Sequence, residues 1–433
     1  MNIARKDSFI NTAFIFIIII FAGQATKFTR AIQSWDHISG LAFIIIATFI
    51  FATYNKVVIK RKIIKLIFFY FIYFILVSYQ FAEFHPRFFA IYLCCFFITY
   101  VLIEALQYRF FLIFEKILVQ FCKISIGFWI LLVLAPSFLY QLFESVSFLT
   151  TATELVDSNI IIYTLNAESM VEQFTFKIGN LRIIRNAGFS WEPGGFAVLI
   201  NLGIVINMIR YRFRIKNNKN IRILLLALIT TFSTTGYGIL MILALFYFYN
   251  IKIKYKGLLV PVFIALGVYL LTLPFMLNKV IETSDTKNIN AEIKSSILYG
   301  GHKTPQRINS FIIDFQDFKN NPILGYGGHL DERWTSKLGA NISTISGIGK
   351  VFAVFGLVGV IFFFTLLYKS SKLFSLHFKF KGWIFPFLLI LFISISYSLI
   401  FHPLFMCFWM HALFMPRIKP IIYSSLSRHE LVK

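Results

Sequence analysis

Charge is what this sequence has least of. Only 14% of its 433 residues are Asp, Glu, Lys or Arg, where a soluble domain carries roughly a quarter. Acidic side chains are scarcer still, 19 against 42 basic ones, which leaves a net charge of +23. Cysteine is nearly absent: Cys94, Cys95, Cys122 and Cys407 lie in or beside apolar segments, so no disulfide framework or zinc-ligand spacing is visible. There is no His-Glu-x-x-His, no carboxylate cluster and no strand-framed phosphate loop, and the sequence therefore predicts neither a metal site nor a cofactor. Internal repeats and low-complexity tails are also missing.

Apolar residues fill the space left by charge, at 58% of the chain with a mean hydropathy of +0.75. On a soluble protein the basic surplus would point to nucleic acid. Here the basic residues sit in short clusters between apolar runs, which reads as orientation in a membrane, with lipid as a partner and nucleic acid excluded. A spanning helix needs about 20 mostly apolar residues, and this rule places spans near 8–25, 38–54, 64–82, 88–106, 119–143, 194–209, 221–233, 236–250, 257–278, 346–368, 383–400 and 404–416. The first could be mistaken for a signal peptide cleaved near Ala22-Gly23-Gln24-Ala25; a retained signal anchor is the preferred reading.

The seventh and eighth spans are short and split at Ser233-Thr234-Thr235-Gly236, so they are either two helices or one broken one. Charge decides between them. With twelve spans and both termini cytoplasmic, the cytoplasmic segments collect 27 of the 42 basic residues and four of the 19 acidic ones, Asp7, Glu104, Glu115 and Glu430. Merging the two spans would move the Lys252, Lys254 and Lys256 cluster and all that follows to the wrong side. The expected fold is thus an all-α polytopic membrane protein of about twelve transmembrane helices with two large non-cytoplasmic loops. Its organisation is 1–143 (five spans), 144–193 (first outer loop), 194–278 (central spans), 279–345 (large outer loop, partly helical) and 346–433 (C-terminal spans and tail). Loops this long without a packing reason tend to be functional.

Both loops carry the chemistry-bearing residues. The first ends in Arg182, Arg185 and Trp191-Glu192-Pro193-Gly194, with Pro193 well placed in the first turn of the next span. Glu192 is open to two readings: a charge cap at a helix N-terminus, or a functional carboxylate. Arg182 and Arg185 either anchor the helix at the interface or clamp a diphosphate with forked donors. The second loop carries Arg307 and Asn321-Pro322-Ile323-Leu324-Gly325-Tyr326-Gly327-Gly328-His329. Gly325 and Gly327 either admit an anion close to backbone amides or make a plain turn; His329 is a base or a solvated loop residue. Ser233 and Thr234 mark either a break lining a polar cavity or an ordinary hairpin turn. His85 and His402, each preceding a proline, read as interfacial caps.

A resemblance now becomes visible. Arg185, Gly188-Phe189, Glu192-Pro193-Gly194 and Ala197 at a span entry, the Thr231–Gly236 break, Arg307 with Asn321-Pro322-x-x-Gly325-x-Gly327, and Gly356-Leu357-Val358-Gly359 occur in the order typical of the O-antigen polymerase and O-antigen ligase superfamily. The match covers roughly residues 180–368, and the first five spans are merely compatible. Such a resemblance implies a GT-C-like glycosyltransferase of the bacterial cytoplasmic (inner) membrane. It would polymerise surface polysaccharide, O-antigen or capsule, from undecaprenyl-diphosphate-linked oligosaccharide on the outer face, without a metal and with a chain-length regulator as a further partner. It implies Arg182, Arg185 and Arg307 as diphosphate-binding residues, Glu192 as orienting an arginine or the acceptor, and Glu192 or His329 as the base. Two departures stand out: Ser233-Thr234 replaces Ser-Arg at the break, and Ala340-Asn341 replaces the His-Asn of ligases. The second favours a polymerase over a ligase, which remains the alternative if His329 substitutes; a lipid-linked glycan transporter or flippase is the rival from another class.

Overall fold

The computed structural model describes residues 8–25, 27–30, 38–135, 138, 175–178, 181–251, 261, 287–299 and 303–415. The molecule is helical, and five helices are long and apolar enough to cross a membrane. They are α4 (Arg61–Phe81), α5 (Pro86–Leu106), α6 (Arg109–Leu134), α7 (Pro193–Arg210) and α13 (Gly347–Phe378). Shorter apolar helices join them: α1 (Phe9–Gly23), α3 (Ile38–Tyr54), α8 (Lys219–Thr230), α9 (Thr234–Asn250) and α14 (Ile384–Ser396). A one-turn α2 (Lys27–Arg30) links α1 to α3, and a hairpin of β1 (Thr175–Ile178) and β2 (Leu181–Ile184) precedes α7. The second loop contains α10 (Lys287–Tyr299), α11 (Arg307–Asn320) and α12 (Trp334–Lys337), and the described chain ends in α15 (Pro403–Trp409) and α16 (His411–Phe414).

The lipid-facing character is written on α4. Ile63, Leu66, Tyr70, Tyr73, Phe74 and Val77, spaced at three and four residues, face the bundle. Ile64, Phe68, Phe69, Phe71, Ile75 and Leu76 point outward and are exposed, an apolar surface that water does not tolerate at this size and a bilayer does. Helix α7 is the opposite case: 94% of its apolar window is buried, against 33% for α4, so it forms the axis around which the bundle is built.

The bundle has two chemically different ends. At one, basic residues and short polar contacts accumulate. Glu115 of α6, fully buried, accepts from Asn207 Nδ2 at 2.6 Å, Arg210 Nη1 at 2.8 Å and Asn220 Nδ2 at 3.3 Å, locking α6, α7 and α8 together. Lys60 pairs with Glu104, Lys62 donates to the Met415 carbonyl, and Asn250 meets Lys381. At the other end lie Gly23, Phe81, Trp191, the α8–α9 turn, Arg307, Asn321 and Tyr397, joined by their own set of contacts. The described helices therefore alternate in direction.

Several boundaries differ from those expected. Helix α6 begins at Arg109, about one span-third earlier than predicted, because Glu115 is neutralised inside the bundle rather than excluded from it. Helix α13 continues to Phe378, beyond its apolar stretch. The last predicted span is two short helices, α15 and α16, packed against α5 and α13. The seventh and eighth spans are two helices: α8 starts and α9 ends at the basic end, with the reversal at Thr231-Phe232-Ser233. The span expected near 257–278 lies outside the described residues except for residue 261.

Candidate functional site

The α8–α9 reversal leaves carbonyls without intrahelical donors, as every helix C-terminus does. Here the segment after β2 supplies the donors: the Asn186 amide donates to the Thr230 carbonyl at 2.9 Å, and Arg185 Nε to the Thr231 carbonyl at 3.1 Å. Asn186 Nδ2 adds a 2.9 Å bond to Thr230 Oγ1 and one of 3.4 Å to Ser125. This pins Arg185 at the loop end of the bundle by one nitrogen and leaves its two terminal nitrogens without a hydrogen-bond partner among the described residues.

Glu192 is the N-cap residue of α7, yet its side chain makes no capping hydrogen bond. It turns instead toward Arg307, whose Nη2 lies 3.6 Å from Glu192 Oε1. The charge-cap reading of Glu192 thus has no hydrogen bond behind it. Arg307, the first residue of α11, is held on every side: Nε donates to the Ser396 carbonyl at 3.1 Å, Nη1 to Thr235 Oγ1 at 2.7 Å and Nη2 to Tyr397 Oη at 2.8 Å. Its guanidinium also lies 4.8 Å from the Tyr397 ring. Tyr397 in turn sits against the start of α7: a Cβ on Gly194 would come within 1.8 Å of Tyr397 Oη, so only glycine permits this approach. Five segments thus meet at one point, with the unsatisfied first amides of α7 ending among them.

The electrostatics follow from two arginines sharing one carboxylate. Burial lowers the Arg185 pKa, outweighing the pull of Glu192 and Tyr397. For Arg307 burial acts in the same direction, but Tyr397 and Glu192 prevail and the value is raised. Among the described residues the cluster keeps one positive charge in excess, and the terminal guanidinium nitrogens of Arg185 have no hydrogen-bond partner there, an arrangement suited to a bidentate anion.

The remaining expected residues are elsewhere or differently used. Arg182 lies on β2, its Cα paired with that of Lys177; its side chain is outside what the structure describes. Ser233 is the N-cap of α9 and accepts from the Gly236 amide at 3.1 Å, with Thr234 opening the helix; the hairpin-turn reading fits both, and it is Thr235 that reaches Arg307.

The anion-cradle expectation for Gly325 and Gly327 finds no support, because their amides are already committed. Gly325 donates to the Asn321 carbonyl and Gly327 to the Val354 carbonyl, both at 2.9 Å, while Tyr326 donates to the Ala353 carbonyl at 2.8 Å. In return Leu357 donates to Pro322 at 2.8 Å. This exchange occurs where α13 breaks at Gly356, which has a φ of +58°. The Asn-Pro-x-x-Gly-x-Gly loop is thus spliced into the gap in the Gly-Leu-x-Gly helix, satisfying backbone groups that a bilayer could not. Tyr73 seals the splice, donating to the Leu324 carbonyl at 2.8 Å and the Val354 carbonyl at 3.0 Å.

His329 follows that splice but does not join the arginines. It is buried beside Glu83 and His85, a grouping of metal-binding types that no sequence spacing announces, since Glu83 and His329 are 246 positions apart. His402 is an N-cap, as expected, accepting from the Leu404 amide at 3.3 Å. His85 also caps its helix, α5, though by backbone position alone. Tyr397 and Thr235 were missed from sequence. Polar residues at the end of an apolar span, Ser394, Ser396, Tyr397 and Ser398, were the available cue. No family model, curated protein or solved structure matches this chain.

Proposed function

We propose that the chain is a membrane glycosyltransferase that polymerises polysaccharide repeat units carried on undecaprenyl diphosphate, acting at the outer face of the bacterial cytoplasmic membrane in a twelve-span, GT-C-like fold. The observation that carries this reading is the convergence of Arg185, Glu192 and Arg307, from segments far apart in sequence, with one positive charge to spare among the described residues at the loop end of an apolar bundle. Departure of a lipid diphosphate develops negative charge on phosphate oxygens, and fixed cationic donors stabilise that charge without reorganising. Arg307 is the preorganised donor, held by Thr235, Ser396 and Tyr397; Arg185 offers a fork with no hydrogen-bond partner among the described residues. A sugar hydroxyl of the acceptor attacks the anomeric carbon of the donor while a base takes its proton. Glu192, 38% exposed beside Arg307, is the group positioned for that role.

The ligase alternative is disfavoured by what surrounds Ala340. This residue stands where ligases carry their histidine, and it is 2% exposed in a small apolar cluster with Ile289, Ile293, Ile313 and Ile342, an environment without the polar partners a catalytic imidazole needs. The transporter alternative calls for ionisable groups in the membrane interior. Among the described residues, the acidic side chains of the five long apolar helices are Glu104 and Glu115, paired with Lys60 and Arg210 at the basic end.

The test is glycan analysis in a deletion strain complemented with Arg185→Ala or Arg307→Ala at normal protein levels. Single repeat units on the acceptor are expected. Long polymer retained on the lipid carrier would indicate a ligase, units retained inside a flippase, and normal chain-length ladders in both variants would sink the assignment.

A further inference from the structure

Glu83, His85 and His329 come together from two segments, the α4–α5 turn and the loop that follows the α13 splice. Both imidazoles approach the same carboxylate oxygen: His329 Nδ1 is 3.3 Å and His85 Nε2 3.4 Å from Glu83 Oε2. The two rings lie 4.3 Å apart between centroids, and the three donor atoms all fall within 4.8 Å of one another. These separations exceed those of ordinary N–H···O bonds, about 2.7–3.2 Å. They coincide with the spacing of two donors on one tetrahedral ion: bond lengths of about 2.0–2.2 Å place neighbouring ligands roughly 3.3–3.6 Å apart.

We propose that Glu83, His85 and His329 bind one divalent transition-metal ion of zinc type. Two imidazoles and a carboxylate are the donor set that such ions take, whereas magnesium and calcium prefer oxygen alone. His329, 2% exposed and flanked by the Phe81 ring at 4.7 Å, is the fixed ligand. Glu83 and His85 are at the surface, 59% and 34% exposed, and leave one side open for entry and for a water as fourth ligand. The ion would clip the second outer loop to the α4–α5 turn, beside the contact between Gln80 and Asn321 at 3.1 Å. It would also occupy His329, removing it as a catalytic base. The proposal stands whether or not the chain is a glycosyltransferase.

The experiment uses the full chain, purified in detergent with a tag that contains no histidine, stripped with a chelator and titrated with Zn²⁺ and Co²⁺. One equivalent should bind, Co²⁺ giving visible ligand-field absorption and Zn²⁺ raising the melting temperature. Loss of a direct ligand in His85→Ala or His329→Ala should weaken binding beyond the roughly 10–100-fold typical of outer-shell partners. Glu83→Gln alters an exposed side chain and keeps its shape, so it tests the site even if His329→Ala fails to fold. No stoichiometric binding by the native chain, or unchanged binding in both Glu83→Gln and His85→Ala, would overturn the proposal.

Discussion

Two arginine clusters sit at the loop end of this molecule, and they are built on opposite principles. Arg333 is 7% exposed, and its nitrogens are used on Asp317 at 3.1 Å, Asp314 at 3.4 Å and the Ile342 carbonyl at 2.8 Å. Both carboxylates are buried, and Asp317 also accepts from the Trp334 amide at 2.6 Å. Lys350 also acts on Asp314, so two carboxylates face two cations there. Around Arg307 the charges among the described residues do not balance: Arg307 pairs with Glu192, Arg185 is drawn to the same carboxylate, the Arg307 and Glu192 side chains are 29% and 38% exposed, and most of the Arg307 partners are neutral. A closed cluster of buried, mutually paired charges holds a fold together; a more exposed one with surplus positive charge among the described residues has the chemistry to accept an anion. Residue type alone does not distinguish the two, whereas stoichiometry and exposure do.

The sharpest way to break this comparison is to delete each arginine. Removing one partner of a buried ion pair leaves the others uncompensated and costs about 3–5 kcal/mol, so Arg333→Ala should lose folded protein, read as a collapsed melting transition or failure to accumulate. Arg307→Ala should keep its melting temperature close to native and lose polymer formation by at least about 100-fold, the scale of one preorganised charge-stabilising donor. A normal melt for Arg333→Ala together with unfolding of Arg307→Ala would reverse the roles assigned to them.

Within the open cluster, Arg185→Lys separates charge from geometry. Lysine retains the positive charge but not the planar fork, and it cannot both reach the Thr231 carbonyl and present two parallel donors. Activity between that of native and Arg185→Ala is expected, about tenfold or more below native. Full activity would mean that a point charge suffices. Tyr397→Phe is milder. It removes the hydroxyl that accepts from Arg307 Nη2, and a hydrogen bond to a charged group contributes about 1.5–3 kcal/mol. A fall in turnover with a melting temperature lowered less than in Arg333→Ala is expected; a lowered melting temperature with native turnover would make Tyr397 a packing residue only.

How much of this was legible before the structure depends on the range of the interaction. Hydropathy and charge located the long helices, and the positive-inside argument correctly divided α8 from α9, because both signals are local and repeat along the chain. The resemblance grouped Arg182, Arg185 and Arg307 on one diphosphate with Glu192 beside them, but nothing in the residues themselves said that Glu192 meets Arg307 or that Thr235 and Tyr397 complete the cluster. For Gly325 and Gly327 an anion cradle and a plain turn stayed open, because a glycine-rich turn and a backbone splice look alike until the acceptors are known. The break at Gly356 that supplies those acceptors lies some thirty residues downstream, inside what reads as an uninterrupted helix. Glu83 and His329 show the same limit over a longer range.

The last test probes the closed cluster through pH. Burial pushes the Asp314 pKa up to about 7, against the opposing pull of Arg333, Thr344 and Lys350 and with a minor upward contribution from Asp317. Between its ordinary value near 3.8 and about 7, the folded protein keeps a proton that the unfolded chain has released. The folded state therefore binds more protons across that window, and stability falls as pH rises through it, with the full penalty present above about 7 and none below the ordinary value. Asp314→Asn removes the titration while preserving shape. The melting temperature of the variant in detergent should vary less with pH than that of the native chain, so that the native-minus-variant difference declines between pH 4 and 8. The slope, not the offset, is the readout, because the substitution also weakens the pair with Arg333. A native curve parallel to that of Asp314→Asn would mean that Asp314 is ionised throughout, and that the closed cluster is held by charge alone.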